Sequence, residues 1–197
     1  MSRDIWVTSD THYNHAGIIT FTDYQGQRVR DFDTVEQMNE CLLDSWNECV
    51  KPGDLVYHLG DVFFGDREVF EKDWPKFNGS KRLLLGNHDD GKYLAKGAFF
   101  QKIGMWRMFP ELGILLSHVP LHEMSLYRGK DLERPMLCCH GHIHRLDSPR
   151  GPYHNVCVEK TNYIPVHIDE LAAKAKYYRE VQWEIDRPFF HPSGIEP

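Results

Sequence analysis

The 197-residue chain has little that would hold it in a membrane, staple it outside a cell or bind it broadly to nucleic acid. No apolar run approaches the roughly 20 residues that span a bilayer, and the opening MSRDIWV lacks the apolar stretch of a secretory signal. Both absences predict a cytoplasmic protein with no membrane partner. Cysteine is scarce and odd in number: Cys41, Cys49, Cys138, Cys139 and Cys157, without a CxxC pair. That argues against a disulfide framework or a thiolate zinc site and predicts reduced thiols. Basic charge is not in excess. Lys and Arg number 23 against 29 Asp and Glu, and the formal charge of −6 disfavours broad binding to nucleic acid. No repeat, linker or low-complexity stretch interrupts the chain, so residues 1–197 are expected to form one domain.

What the chain does have is histidine, twelve in all. Histidine is the commonest metal ligand and a frequent acid–base group, so placement matters. In KRLLLGNHDD, residues 81–90, three leucines read as a strand buried on both faces. Gly86 lets the backbone turn, and Asn87, His88 and Asp89 follow at once. One polar turn after a strand is ordinary loop chemistry. Here the arrangement recurs.

Residues 5–9 (IWVTS) form a β-rich run that ends in Asp10-Thr11-His12, followed by Tyr13-Asn14-His15. Asp10 and His12 face the same way if the backbone is extended. Residues 55–59 (LVYHL) end in Gly60-Asp61, with His58 expected as a hydrogen-bonded core group. Residues 113–117 (GILLS) lead to His118. Residues 136–139 (MLCC) lead to His140-Gly141-His142-Ile143-His144, where His142 and His144 share a face if extended. A sixth strand is predicted at 155–159 (NVCVE). Asp33-Thr34 caps a helix whose Val35, Met38, Leu42, Trp46 and Val50 recur at helical spacing. Cys41 and Cys49 are expected as buried packing residues on it. FFGDREVFEKDW reads as a loop into a helix, and 91–110 as an aromatic covering segment. Residues 121–134 read as a loop or lid that sets specificity, 168–183 as a helix capped by Asp169, and 187–197 as a surface tail. The fold class is α/β.

Five strands thus end in DTH, GD, GNHD, SH and HGHIH. Oxygen and imidazole groups gathered at the carboxyl edge of a sheet suit two metals that clamp a phosphoryl group.

The ordered set D-x-H, G-D, G-N-H-D, H and G-H-x-H resembles the motif pattern of the calcineurin-like metallophosphoesterase superfamily, from residue 5 to roughly residue 144. NVCVEKTNYIPV is similar to the ending of its small single-domain bacterial and phage members. The resemblance implies a layered β-sandwich flanked by helices (αββα), with the site at the carboxyl ends of the strands. It implies that Asp10, His12 and His144 hold a first metal, that Asp61 bridges to a second, and that Asn87, His118 and His142 complete the second metal's ligand set. It gives His88 the role of general acid or electrostatic clamp, has Asp89 orient it or steady the loop, and makes a metal-bridging hydroxide the nucleophile. Nitrogen and oxygen ligands without thiolate favour Mn, with Fe, Ni, Co and Zn compatible. His15, His122 and Arg145 are candidate substrate contacts. His140 reads as structural, His154, His167 and His191 as ordinary polar positions, and Arg128, Lys130 and Arg150 as solvated charges.

The departures narrow the substrate. Protein Ser/Thr phosphatases of the superfamily carry G-D-x-V-D-R-G and G-N-H-E, where this chain has GDVFFGD and GNHD. A small phosphodiester or nucleotide-type substrate is therefore expected, with a phosphomonoester or nucleotide pyrophosphate as the alternative. Nucleic acid is a less favoured partner, since an added DNA-facing domain has little room here. A non-catalytic scaffold is disfavoured by the complete ligand set.

Overall fold

The computed structural model describes residues 3–127 and 134–190. Among the described residues nine strands form two sheets: β1 (Ile5–Thr8), β2 (Leu55–His58), β3 (Ser80–Leu84), β4 (Lys102–Gly104), β5 (Trp106–Phe109), β6 (Ile114–Ser117), β7 (Leu137–His140), β8 (Tyr153–Asn155) and β9 (Val166–His167). One sheet has the order β4-β3-β2-β1-β9 and the other β5-β6-β7-β8. Pairing is parallel except at β1–β9 and β5–β6. The helices are α1 (Val35–Cys49), α2 (Arg67–Asp73), α3 (Gly91–Lys96), α4 (Ile168–Tyr177) and α5 (Trp183–Phe190).

Alternation along the strands builds the layers, because successive side chains leave opposite faces. Val7, Leu55, Tyr57 and Leu84 of one sheet meet Ile114, Leu116, Leu137 and Cys139 of the other in a shared core. On the outer face of the five-stranded sheet, Val56 and Leu83 pack under Met38, Leu42 and Trp46 of α1 and Phe70 of α2. Leu115 and Cys138 face outward from the second sheet beneath Leu126 and Met136. Thr34 caps α1 by accepting the Gln37 amide hydrogen, and α4 adds Ile168, Leu171 and Ala175 to the inter-sheet core. The result is the expected mixed α/β fold of two sheets flanked by helices. None of the five cysteines is in a disulfide; Cys41 and Cys49 are half-buried rather than buried. Among the described residues no helix is long and apolar enough to cross a membrane.

Several local expectations are corrected. The covering segment contains α3 and two strands, β4 and β5, which end their respective sheets as edges. The strand expected at 155–159 is β8, ending at Asn155. Val156 and Val158 are buried without a ladder because the chain crosses there between cores, Val156 into the inter-sheet layer and Val158 under α1. The cap of α4 is His167, whose Nδ1 accepts the Asp169 amide hydrogen, and a π-helical turn over Tyr178–Gln182 separates α4 from α5. The surface tail begins inside α5, at Arg187. The lid is in part a packed element: Leu126 is fully buried and its carbonyl accepts from Met136 N at 2.9 Å. Arg128, Lys130 and His191 lie outside the described residues.

His58 is the core group expected of it. Its Nδ1 accepts from Gly60 N at 3.2 Å, so the neutral ring carries its proton on Nε2, 2.9 Å from Thr11 Oγ1. Thr11 in turn donates to the Val62 carbonyl. Burial, with the His118 ring nearby, pushes the His58 pKa down to about 3. The folded state therefore resists protonation that the unfolded chain accepts near 6.5, and stability is lost as pH falls from that value towards 3. Going from pH 7 to pH 5 should cost about 2 kcal/mol through this residue alone. Urea denaturation of metal-free protein at both pH values should show a shallower pH slope in His58→Gln than in wild type.

Candidate metal centre

The strand ends from both sheets converge. Asp10, His12 and His144 bring ligand atoms within 4.8 Å of one another, as do Asp10, Asp61 and His118. Asp10 belongs to both triplets. Asp61 Oδ2 lies 3.5 Å from both His12 Nε2 and His118 Nε2. Asn87 Oδ1 lies 2.8 Å from His118 Nε2 and from His142 Nδ1. The sequence-predicted ligand set is thus assembled in one place, with Asp10, His12, Asp61 and His118 as a buried floor. Asn87, His88 and His142 stand exposed at the mouth.

The backbone reaches this arrangement in a way the extended reading did not foresee. Asp10 (φ 57°), His12 (φ 43°), Asp61 (φ 54°), His142 (φ 72°) and His144 (φ 49°) are all left-handed. Such conformations cost roughly 1–2 kcal/mol each for residues with a Cβ and concentrate at functional sites. The motif glycines permit the close approaches. A Cβ at Gly86 would fall on the Asp61 carboxylate, and one at Gly141 on Asp10 Oδ2 and Ser9 Oγ. Gly141→Ala should therefore weaken Mn²⁺ binding by at least about tenfold with every ligand residue in place, the size seen when ligand-orienting groups are disturbed. Calorimetric titration of the metal-stripped variant checks this.

Each carboxylate has one oxygen held and one left bare. Asp10 Oδ2 accepts from Ser9 Oγ at 2.5 Å, His142 N at 2.9 Å and Cys157 Sγ at 3.3 Å. Asp10 Oδ1 is buried without a hydrogen-bond partner, as are both ring nitrogens of His12. Asp61 Oδ1 accepts from His88 N at 2.9 Å, leaving Oδ2 facing the two imidazoles. His118 Nδ1 lies 2.9 Å from the Leu59 carbonyl, which can only accept, so Nδ1 carries a proton and Nε2 faces Asn87 Oδ1 and Asp61 Oδ2. Lone pairs aimed at one another in a buried pocket are unfavourable unless a cation lies between them. Burial raises the pKa of Asp10 and drives that of His12 far down, with the Arg30 charge adding to the latter. A neutral imidazole is the form that ligates metal. These residues fit divalent cations.

Two further residues, missed in the sequence, support the site. The Arg30 side chain is fully buried, 2.7 Å from Glu159 through Nε. It also donates to the carbonyls of Thr11 (2.7 Å) and Asp10. Glu159 Oε1 lies 3.0 Å from His144 Nδ1. A carboxylate can only accept, so Nδ1 carries the proton and Nε2 is free for a ligand's role. Burial disfavours the Glu159 charge, but Arg30 and His144 hold its pKa below the usual value. Burial likewise opposes the charge on His144, and the Glu159 bond together with the Glu159 and Asp10 charges outweighs it, raising the pKa. Neither residue sits in a strand-end motif: Arg30 lies between elements, and Glu159 ends a run read only as a strand.

The remaining candidates fall in different places. Both Asp89 oxygens accept backbone hydrogens, from Asp61 (3.0 Å), Val62 (3.0 Å) and Gly86 (2.8 Å). They steady the loop rather than orient the His88 ring. His15 stands beside His12, with ring centroids 5.7 Å apart. His122 caps a short 3₁₀ turn through Nδ1. Arg145 donates to the Arg28 carbonyl. His140 is fully buried, with Nε2 3.0 Å from Ser148 Oγ. Arg150 pairs with Asp186 at 3.1 Å.

The calcineurin-like phosphoesterase family model matches residues 3–171. The chain is 32% identical over 193 residues to an uncharacterised protein of Methanocaldococcus jannaschii, covering 91% of this chain and 97% of that one. It is 28% identical over 167 residues to the gene 66 protein of Mycobacterium phage L5, covering 71% and 76% respectively. Among solved structures it resembles a protein of unknown function from Aquifex aeolicus, with a TM-score of 0.66 and 28% identity over 88% of this chain and all of that one. The chain belongs to the calcineurin-like phosphoesterase family, and with its Asp–His clusters it is a metal-dependent phosphoester hydrolase.

Proposed function

We propose that the chain is a single-domain, cytoplasmic phosphodiesterase acting on a small or nucleotide-type substrate with two divalent metals, Mn²⁺ favoured. The observation that carries this reading is the buried floor of Asp10, His12, Asp61 and His118, in which Asp10 Oδ1 and both His12 ring nitrogens lack a hydrogen-bond partner, beneath the exposed His88. Asp10, His12 and His144 would hold one metal and Asn87, His118 and His142 the other, with Asp61 available to both. Bound there, the ions supply positive charge to the phosphoryl oxygens and hydroxide at neutral pH. His88, fixed by its backbone bond to Asp61, gives a proton to the leaving-group oxygen. Asp89 and Glu159 act through others, the first on the loop and the second on the His144 tautomer.

Among the described residues, charge favours a diester. The buried guanidinium of Arg30 is turned inward to Glu159, and Arg145 reaches a backbone carbonyl. Neither is aimed at the extra charge of a monoester dianion, whereas a diester carries a single negative charge. The unpaired state of all five cysteines accords with the cytoplasm.

The test is to strip the protein of metal, add Mn²⁺, and assay bis(p-nitrophenyl) phosphate beside p-nitrophenyl phosphate. Strong diester hydrolysis with little monoester turnover is expected. A monoester preference would overturn the diester assignment, and turnover of neither would overturn the proposed activity.

A further inference from the structure

The rim of the metal centre carries an aromatic surface that the proposed hydrolysis does not use. Phe63 and Phe64 follow Asp61 in an extended stretch, held by a bridge between Tyr13 and Phe63 and by Phe64 N donating to the Tyr13 carbonyl at 2.9 Å. Alternation sends the two rings to opposite sides. Phe63 stacks on Phe70 in the core, with centroids 4.1 Å apart and planes 11° apart. Phe64 points outward and is 43% exposed. His15 lies against it at 4.3 Å with a 30° tilt. Phe21, 52% exposed, meets His15 edge-on at 5.7 Å.

These rings close a circuit with the site. Neighbouring centroids are 5.7 Å apart for His12–His15, 4.3 Å for His15–Phe64, 6.1 Å for Phe64–His88 and 5.6 Å for His88–His12. The circuit runs from a ring that faces the metals to the ring that faces the leaving group. Phe21 is carried on a short hairpin closed by a Thr22–Arg28 bridge, and Arg145 ties that hairpin to the loop holding His144. Single exposed apolar residues are ordinary. Two phenyl rings flanking an imidazole, on backbone pinned to the ligand loops, form a built surface. A flat π-system attached to a phosphoester is the chemistry that fits it, because stacking needs only a ring face and tolerates any base.

We propose that Phe64, backed by His15 and flanked by Phe21, is the platform on which a nucleobase of the substrate stacks, which makes the enzyme selective for nucleotide phosphodiesters. The inference rests on the phosphodiesterase reading above. A phosphate held between the floor and His88 has its ester substituent running along Phe64, and stacking there adds affinity that a ring-free phosphoester lacks.

Equilibrium binding to Mn²⁺-loaded protein tests this without turnover, comparing adenosine 5′-monophosphate with ribose 5-phosphate, which lacks only the base. Wild type should bind the nucleotide about five- to a hundredfold more tightly, the worth of one stacked base. Phe64→Ala should abolish that advantage, Phe21→Ala should reduce it, and Phe64→Tyr, which keeps the ring and controls for folding, should retain it. Equal binding of the two ligands by wild type, no binding of the nucleotide, or an advantage that survives Phe64→Ala would each overturn the platform. Failure of the phosphodiesterase reading is separately visible as the absence of hydrolysis of the chromogenic esters by wild type.

Discussion

Replacing Arg30 by methionine is expected to destabilise the protein by about 3–5 kcal/mol and to weaken its grip on metal, although Arg30 is not itself a ligand. The reason is where its charge goes. The guanidinium is completely buried and satisfies Glu159, the Thr11 carbonyl and the Asp10 carbonyl together. Methionine fills much of the volume but leaves a buried carboxylate unpaired, and Glu159 Oε2 has no partner even in the intact protein. Removing one member of a buried pair is more harmful than removing both. The double variant Arg30→Met with Glu159→Leu should therefore recover much of the stability measured by chemical denaturation. It should not recover metal affinity. Without the carboxylate, His144 Nδ1 loses the acceptor that fixes its tautomer, and the loop carrying Asp10 and Thr11 loses its two carbonyl anchors. Equal recovery of stability and metal affinity would show that Glu159 has no part in positioning His144.

His88→Gln should lower kcat on a diester with an alkyl leaving group by about 10²–10⁴, the usual worth of a general acid. On a p-nitrophenyl diester it should lower kcat by less than about tenfold, because nitrophenolate departs as an anion and needs no proton. Glutamine keeps a hydrogen-bond donor and the backbone N–H that holds Asp61 Oδ1. Any loss through a displaced Asp61 would therefore fall equally on both substrates. Equal losses would mark His88 as a structural or clamping group; a loss confined to the alkyl ester marks it as the acid. The His88 ring is exposed at the mouth and meets the buried floor at the His12 ring, so this substitution leaves the core intact.

Much of this site was legible in the sequence because its strands are short and end in buried, largely apolar residues, with β2, β6 and β7 buried throughout. Such runs stop abruptly at polar residues, so Asp10, Asp61, Asn87, His118 and His142 could be read as strand-end groups before any geometry was known. What could not be read was how the backbone presents them. An extended chain puts Asp10 and His12 on one face, and the structure achieves the convergence instead with left-handed residues. Positive φ at aspartate and histidine carries no local sequence signal, because it is imposed by contacts from distant loops such as the Gly60–Gly86 and Gly141–Ser9 approaches. Arg30 and Glu159 were hidden for the same reason: a sequence separation of 129 gives no periodicity to detect. Strands β4 and β5 escaped because exposed Trp106 and Arg107 break the apolar pattern on an edge strand. Val156 and Val158 misled because they are buried in two different cores rather than in one ladder.

The most direct test of the two-metal account is anomalous diffraction from crystals of the protein soaked in Mn²⁺. The account predicts two manganese peaks per chain, one among Asp10, His12 and His144 and one among Asn87, His118 and His142, with Asp61 reaching both. A single peak, or peaks away from these side chains, would contradict it.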